Sequence, residues 1–221
     1  MIQALIFDFD GLILDTETPE FTCWQNIYRE HGFEFPLEKW AMIIGRNGVS
    51  DFDAAEHLAL LSQGRLDSTS LRARNRLESD ALIHAEKPMP GVVEYLQEAK
   101  RLGLKLAIAS SSDIPWVHEH AKRIGVFHYF DQIITSEDVG LGRTKPHPDL
   151  FLTALKRLHV PKEAAIVFED SPNGVKAANR AGIFVVAVPN KVTSLLSVEG
   201  ADLILKSLQD LSLPDLLDKV Q

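Results

Sequence analysis

The chain has 221 residues, 45% of them hydrophobic and 24% charged, a balance that suits a globular protein with room for a full core and an insert. Its formal net charge of -8 offers no basic surface for a nucleic-acid backbone, so a nucleic-acid polymer is excluded as a partner. A single cysteine, Cys23, excludes an intramolecular disulfide and a cysteine-cluster zinc site and suits a reducing compartment.

Positions 4–7 are apolar throughout, which predicts a strand buried on both faces, as in a parallel sheet covered by helices. Asp8 and Asp10 follow at once, before the apolar stretch reaches signal-peptide length, and no later run approaches the roughly 18 residues of a membrane helix. A cytoplasmic protein without a membrane partner is therefore expected. From 16 to 85 the strand signal is absent. Positions 17–31 place Phe21, Trp24, Ile27 and Tyr28 on one side of a helix, and 51–61 and 69–84 read as two more helices. The segment is too long for a simple connection. It is expected to be a helical cap, 16–85, inserted into a sheet domain formed by 1–15 and 86–221.

Pro88 and Pro90 mark the return to the sheet. Positions 91–103 space Val92, Leu96 and Ala99 as a helix before a glycine stop, and 104–109 form a strand interrupted only by Lys105. A helix over 115–125 has Ser112 and Asp113 as candidate caps, and another covers 149–158. Strand 164–168 leads to Ser171 as a cap and Pro172 as a first helical residue; Gly182 closes that helix and 183–188 is a further strand. Strands alternating with helices at this pitch predict an open, doubly wound α/β sheet.

Ligands of such sheets bind beyond the carboxyl ends of the strands. Polar residues collect there: Asp8-Phe-Asp10-Gly11 after the first strand, Ser110-Ser111-Ser112 after the second, Glu169-Asp170-Ser171 after a later one, and Lys145 ahead of a helix. Four carboxylates meeting at one strand edge would repel one another, each close pair costing on the order of 4 kcal/mol at about 4 Å. A hard divalent cation with oxygen ligands, together with the Lys145 ammonium, reverses that penalty, and magnesium suits the inventory.

Asp8-Phe-Asp10-Gly11 with Asp15-Thr16 following is similar to the signature of the haloacid dehalogenase superfamily, and Ser110, Lys145 and Glu169-Asp170 fall in order at the places of its other motifs. The resemblance spans the whole sheet domain and implies a Rossmann-like core. It implies that Asp8 is a nucleophile forming an aspartyl phosphate and that Asp10 is the general acid and base. Residues two apart in an extended strand face one side, which suits that pairing. It further implies Mg²⁺ held by the Asp8 side chain, the Asp10 carbonyl and Asp170, with Glu169 a ligand directly or through water. Ser110, the Ser111 amide and Lys145 would then hold the phosphoryl oxygens.

A carboxylate two residues after the nucleophile excludes the dehalogenase and phosphonatase branches and the cation-pumping ATPases, leaving phosphate ester chemistry. The insert resembles the cap of the β-phosphoglucomutase-like branch, under which a small phosphorylated metabolite fits. That mutase carries a histidine five residues after the aspartate matched by Asp15, where this chain has Glu20. The expectation is a phosphatase acting as a monomer, with a sugar phosphomutase as the alternative and a non-catalytic phosphate- or protein-binding module behind both. Glu20, Gly45, Arg46, Asn47 and Ser112 are candidate substrate contacts, the glycine-flanked Arg46 because it could pair with an anion. His118 and His120 stand two apart on a helix, share no face and predict no metal site.

Overall fold

The computed structural model describes residues 1–41, 44 and 52–220. Six parallel strands form one sheet: β1 (Ala4–Phe7), β2 (Lys105–Ala109), β3 (Gln132–Ile134), β4 (Ala165–Glu169), β5 (Phe184–Ala187) and β6 (Leu203–Ile204), in the order β3-β2-β1-β4-β5-β6. The chain builds outward from β1 to β3, then crosses back and builds the other way from β4. The doubly wound expectation is met, and the direction reverses beside β1, where ligands of open α/β sheets bind. Phe7 is level with Ile108 on one side and Phe168 on the other, so the residues leaving β1, β2 and β4 emerge together.

Alternation along β1 explains its apolar run. Leu5 and Phe7 enter one hydrophobic layer, with Phe7 stacked on Phe168 at 4.6 Å, while Ala4 and Ile6 enter the layer on the opposite face. Helices α5 (Val92–Arg101) and α6 (Ile114–Arg123) cover the first face. The short α7 (Ser136–Val139), α8 (Asp149–Leu158) and α9 (Pro172–Ala181) lie on the second, and α10 (Leu213–Val220) returns to α5. Asp113 caps α6 by accepting from the Trp116 amide at 2.9 Å, and Ser171 caps α9 by accepting from Gly174 at 3.1 Å. Of the two expected caps of α6, Ser112 is not used in that way.

Between β1 and α5 the regular elements of the described residues are helices. Helices α1 (Glu17–Glu30), α2 (Leu37–Ala41), α3 (Ala54–Leu61) and α4 (Ser68–Ile83) gather around a third cluster that includes Trp24, Tyr28, Trp40, Leu58 and Leu71. The expected helix over 51–61 starts at Ala54 with Asp53 as its cap; position 51 is outside the described residues. The outgoing and returning segments run side by side: Leu14 bridges to Pro88, and the Met89 amide donates to the Ile13 carbonyl at 2.9 Å. Strands β3 and β6 and helices α2, α7 and α10 are absent from the elements expected from sequence. Among the described residues no helix is long and apolar enough to cross a membrane.

Candidate active site

Asp8 is the first residue beyond β1, and its amide continues the ladder by donating to Phe168 at 3.0 Å. Its carboxylate is therefore fixed by the sheet at the strand edge, 2% exposed. Oδ1 accepts from the Phe9 amide at 2.7 Å and lies 2.5 Å from Lys145 Nζ. The same ammonium lies 2.6 Å from Glu169 Oε1, and its ion sits 5.4 Å from the Phe151 ring centroid, so Lys145 is wholly enclosed. Glu169 turns its other oxygen toward its own chain, accepting from the Asp170 and Ser171 amides at 3.1 and 3.2 Å. Asp170 Oδ2 accepts from Asn190 Nδ2 at 2.8 Å.

Asp8, Glu169 and Asp170 thus offer three oxygens within 4.8 Å of one another. Burial first, and then the Glu169 charge, push the Asp8 carboxyl well above the ordinary carboxylate range, with Lys145 opposing. Asp170 is raised for the same reason, burial first and then Glu169 and Asp8. Burial by itself would depress Lys145; Asp8 and Glu169 override it and hold the ammonium above its ordinary range. One lysine cannot neutralise three carboxylates. Asp170 Oδ1 is also buried without a hydrogen-bond partner among the described residues. A set of hard oxygens with excess negative charge and an unused buried acceptor fits a divalent cation such as magnesium.

Glycine makes room for this cluster at two places. Gly11 has φ +80°, and a methyl group there would overlap Asp170 Oδ2; one on Gly174 would overlap the Glu169 carboxylate.

Asp10 stands apart from the cluster. Its Oδ2 accepts from Ser112 Oγ at 2.7 Å and Ser110 Oγ at 3.1 Å, and its Oδ1 accepts from Trp116 Nε1 at 2.7 Å. Ser110, expected at the phosphoryl oxygens, and Ser112, expected at the substrate, thus both donate to Asp10, and Ser112 also lines the cavity. Ser111 is buried and lines the cavity.

That cavity, about 440 Å³, lies between the strand edge and the helical layer. Asp8, Asp10, Ser111, Ser112, Trp116 and Lys145 line one side; Glu17, Glu20 and Trp24 of α1 and Arg72, Asn75, Arg76, Ser79 and Asp80 of α4 line the other. Burial, Asp10 and Asp80 raise Glu20 to about 7, against a hydrogen bond from Trp24. Glu17 is raised well above its ordinary value by burial and then by Glu20 and Asp10. Gly45, Arg46 and Asn47 lie outside the described residues.

Sequence reasoning missed Trp116, Asn190, Glu17 and the α4 wall. Asn190 carried a usable signal, since it follows the apolar run of β5 as Asp170 follows that of β4. His120 is buried beside Trp116.

Comparison with known proteins matches this arrangement to a family. The model of the haloacid dehalogenase-like hydrolases matches residues 5–188. The Bacillus subtilis protein YhcW is 46% identical over 218 residues, covering 99% of this chain and 97% of that protein. A phosphorylated carbohydrates phosphatase of Thermotoga maritima is 32% identical over 192 residues, 82% of each chain. A crystal structure of β-phosphoglucomutase from Clostridium difficile shares the fold with a TM-score of 0.74, covering 100% of this chain and 97% of that one at 23% identity. The chain belongs to the haloacid dehalogenase-like hydrolases.

Proposed function

We propose that this enzyme is a magnesium-dependent phosphatase that hydrolyses small phosphorylated metabolites, sugar phosphates foremost, working in the cytoplasm as a monomer. The observation that carries the reading is the meeting of Asp8, Glu169 and Asp170 within 4.8 Å, with Lys145 between two of them, on the wall of a cavity. The Asp8 side chain, the Asp10 carbonyl and Asp170 would hold Mg²⁺, with Glu169 a ligand directly or through water, and the ion when bound supplies charge neutralisation for the phosphoryl oxygens. Residues 16–85 act as a cap that closes the cavity from the side opposite the strand edge and keeps out bulk water.

Asp8 attacks phosphorus, the bond from phosphorus to the leaving oxygen breaks, and Asp10 delivers a proton to that oxygen, releasing an alcohol. Water then attacks the aspartyl phosphate with Asp10 taking its proton; the bond to Asp8 breaks, and inorganic phosphate leaves. Lys145 and the Ser111 amide steady the phosphoryl oxygens throughout.

A phosphomutase must accept a second phosphate beneath the cap. Glu20 lines that side of the cavity at the position where the mutase carries a histidine, and hydrolysis is therefore the preferred reading. The test is phosphate release from a panel of sugar phosphates, nucleotides and phosphoglycolate with Mg²⁺ present. The reading predicts release that Asp8→Asn reduces by about 10⁴-fold or more. Conversion of a sugar 1-phosphate to its 6-phosphate without release would favour the mutase, and full activity in Asp8→Asn would exclude both.

A further inference from the structure

We infer that Trp116 is a positioning residue for Asp10, and that it is held in place by a clamp between α6 and the end of α4. The inference rests on the reading of Asp10 as the proton donor to the leaving group. The indole Nε1 donates to Asp10 Oδ1 at 2.7 Å, on the oxygen not taken by Ser110 and Ser112. Each carboxylate oxygen is therefore addressed from a different element: Oδ2 by the loop after β2, and Oδ1 by the first turn of α6. Losing the serines would free Oδ2; losing the indole would free Oδ1 and let the carboxylate pivot about the oxygen that the serines hold. Trp116 also lines the cavity, so its ring stands beside the space that the leaving group enters.

What fixes the indole is visible one turn further along α6. Its ring packs on His120, centroids 4.2 Å apart and planes at 61°. His120 is 1% exposed and its Nδ1 faces the Arg123 guanidinium, 3.3 Å from Nε. Burial first, and then Arg123, hold the imidazole below its ordinary value, which keeps the ring neutral and Nδ1 an acceptor. Arg123 in turn donates to the carbonyls of Ile83, His84 and Glu86 at 3.0, 3.0 and 2.9 Å. These are carbonyls at and just past the C-terminal end of α4, where a helix leaves acceptors unsatisfied. A line of contacts thus runs from the point where the chain leaves the helical layer, through Arg123, His120 and Trp116, to Asp10.

A positioned acid matters when the leaving oxygen needs a proton and little when it does not. The experiment measures kcat/KM, which reports the first chemical step, for an alkyl phosphate that the enzyme hydrolyses and for p-nitrophenyl phosphate, whose leaving group departs as a stable anion. Trp116→Phe keeps a ring on His120 and removes the donor. It is expected to lower kcat/KM for the alkyl ester by about 30-fold and for the aryl ester by less than about 3-fold, with the unfolding midpoint unchanged. Arg123→Met is expected to show the same selectivity with a smaller loss. Equal losses for both esters in Trp116→Phe, or no loss for either, would overturn the positioning role. Selectivity in Trp116→Phe without any in Arg123→Met would overturn the clamp. Asp10→Asn separates the two readings: if it too shows no preference between the esters, the assignment of Asp10 itself falls; if it strongly spares the aryl ester while Trp116→Phe does not, only the inference about Trp116 falls.

Discussion

At the strand edge a lysine with a side chain 1% exposed touches two carboxylates that are no more than 4% exposed. Across the cavity, Arg72, Arg74 and Arg76 of α4 are 48%, 38% and 79% exposed and pair with acids that water also reaches. The residue types are alike, and the physics differs. Charges at the strand edge have lost their hydration, so each depends on the others and on whatever cation completes the set. Charges on α4 keep much of theirs, so their pairs are nearly separable and weak. A change at the strand edge therefore disturbs every charge of the set, while a change on the helical wall disturbs little beyond its own pair.

The largest effect is expected from Lys145→Met. It leaves Asp8 and Glu169 facing each other without their ammonium, and a loss of about 3–5 kcal/mol in denaturant-derived stability is expected in metal-free buffer, with activity lost as well. A loss no larger than that of a surface lysine would show that the cluster is not interdependent.

Metal addition sharpens the same point. Mg²⁺ at a hundredfold excess over its Kd should raise stability by about 2.7 kcal/mol, read as an upward shift in the thermal midpoint. Asp170→Asn should abolish most of that shift, because Asp170 Oδ1 is the buried acceptor without a partner among the described residues. Chelator should remove activity and the shift together.

Glu20 gives a smaller, pH-dependent effect. Its folded value of about 7 lies above the ordinary 4.5. At low pH both states are protonated and the carboxyl is neutral in effect. Between 4.5 and 7 the folded state holds a proton that the unfolded state has lost, so stability falls as pH rises, and the full penalty persists above 7. Glu20→Gln should therefore be stabilising by about 1–2 kcal/mol at pH 8 relative to pH 4.5 in metal-free denaturation, the range allowing for partial exposure. An equal effect at both pH values would contradict the assignment. Smallest of all, Arg74→Ala breaks two exposed pairs, to Glu30 and Glu78, and should leave the denaturation midpoint unresolved from the parent.

Which parts were legible in the sequence follows from the same contrast. Strands β1, β2, β4 and β5 are buried on both faces and read as apolar runs broken only at Lys105, and Asp8, Ser110, Glu169 and Asp170 were found because they follow such runs. Strands β3 and β6 sit at the sheet edges with three and two residues, too short to register as runs. Trp116 was invisible because its role arises only when α6 docks against the strand edge and brings residues 10 and 116 together. The bond from Ser112 Oγ to Asp10 was not legible either, since it joins residues 102 apart in the chain. The α4 wall carries no local motif, since Asn75, Ser79 and Asp80 look like the polar face of any helix until it is packed over a cavity.

The central claim is that Asp8 carries the phosphoryl group between substrate and water. Rapid quench of the enzyme with p-nitrophenyl phosphate and Mg²⁺, followed by peptide mass spectrometry, detects it, with Asp10→Asn used to slow the second step because this leaving group needs no proton in the first. One phosphoryl group is expected on the peptide containing Asp8, formed before phosphate appears in solution and absent in Asp8→Asn. Steady phosphate release with no phosphorylated enzyme at any time, or a label on another residue, would contradict it.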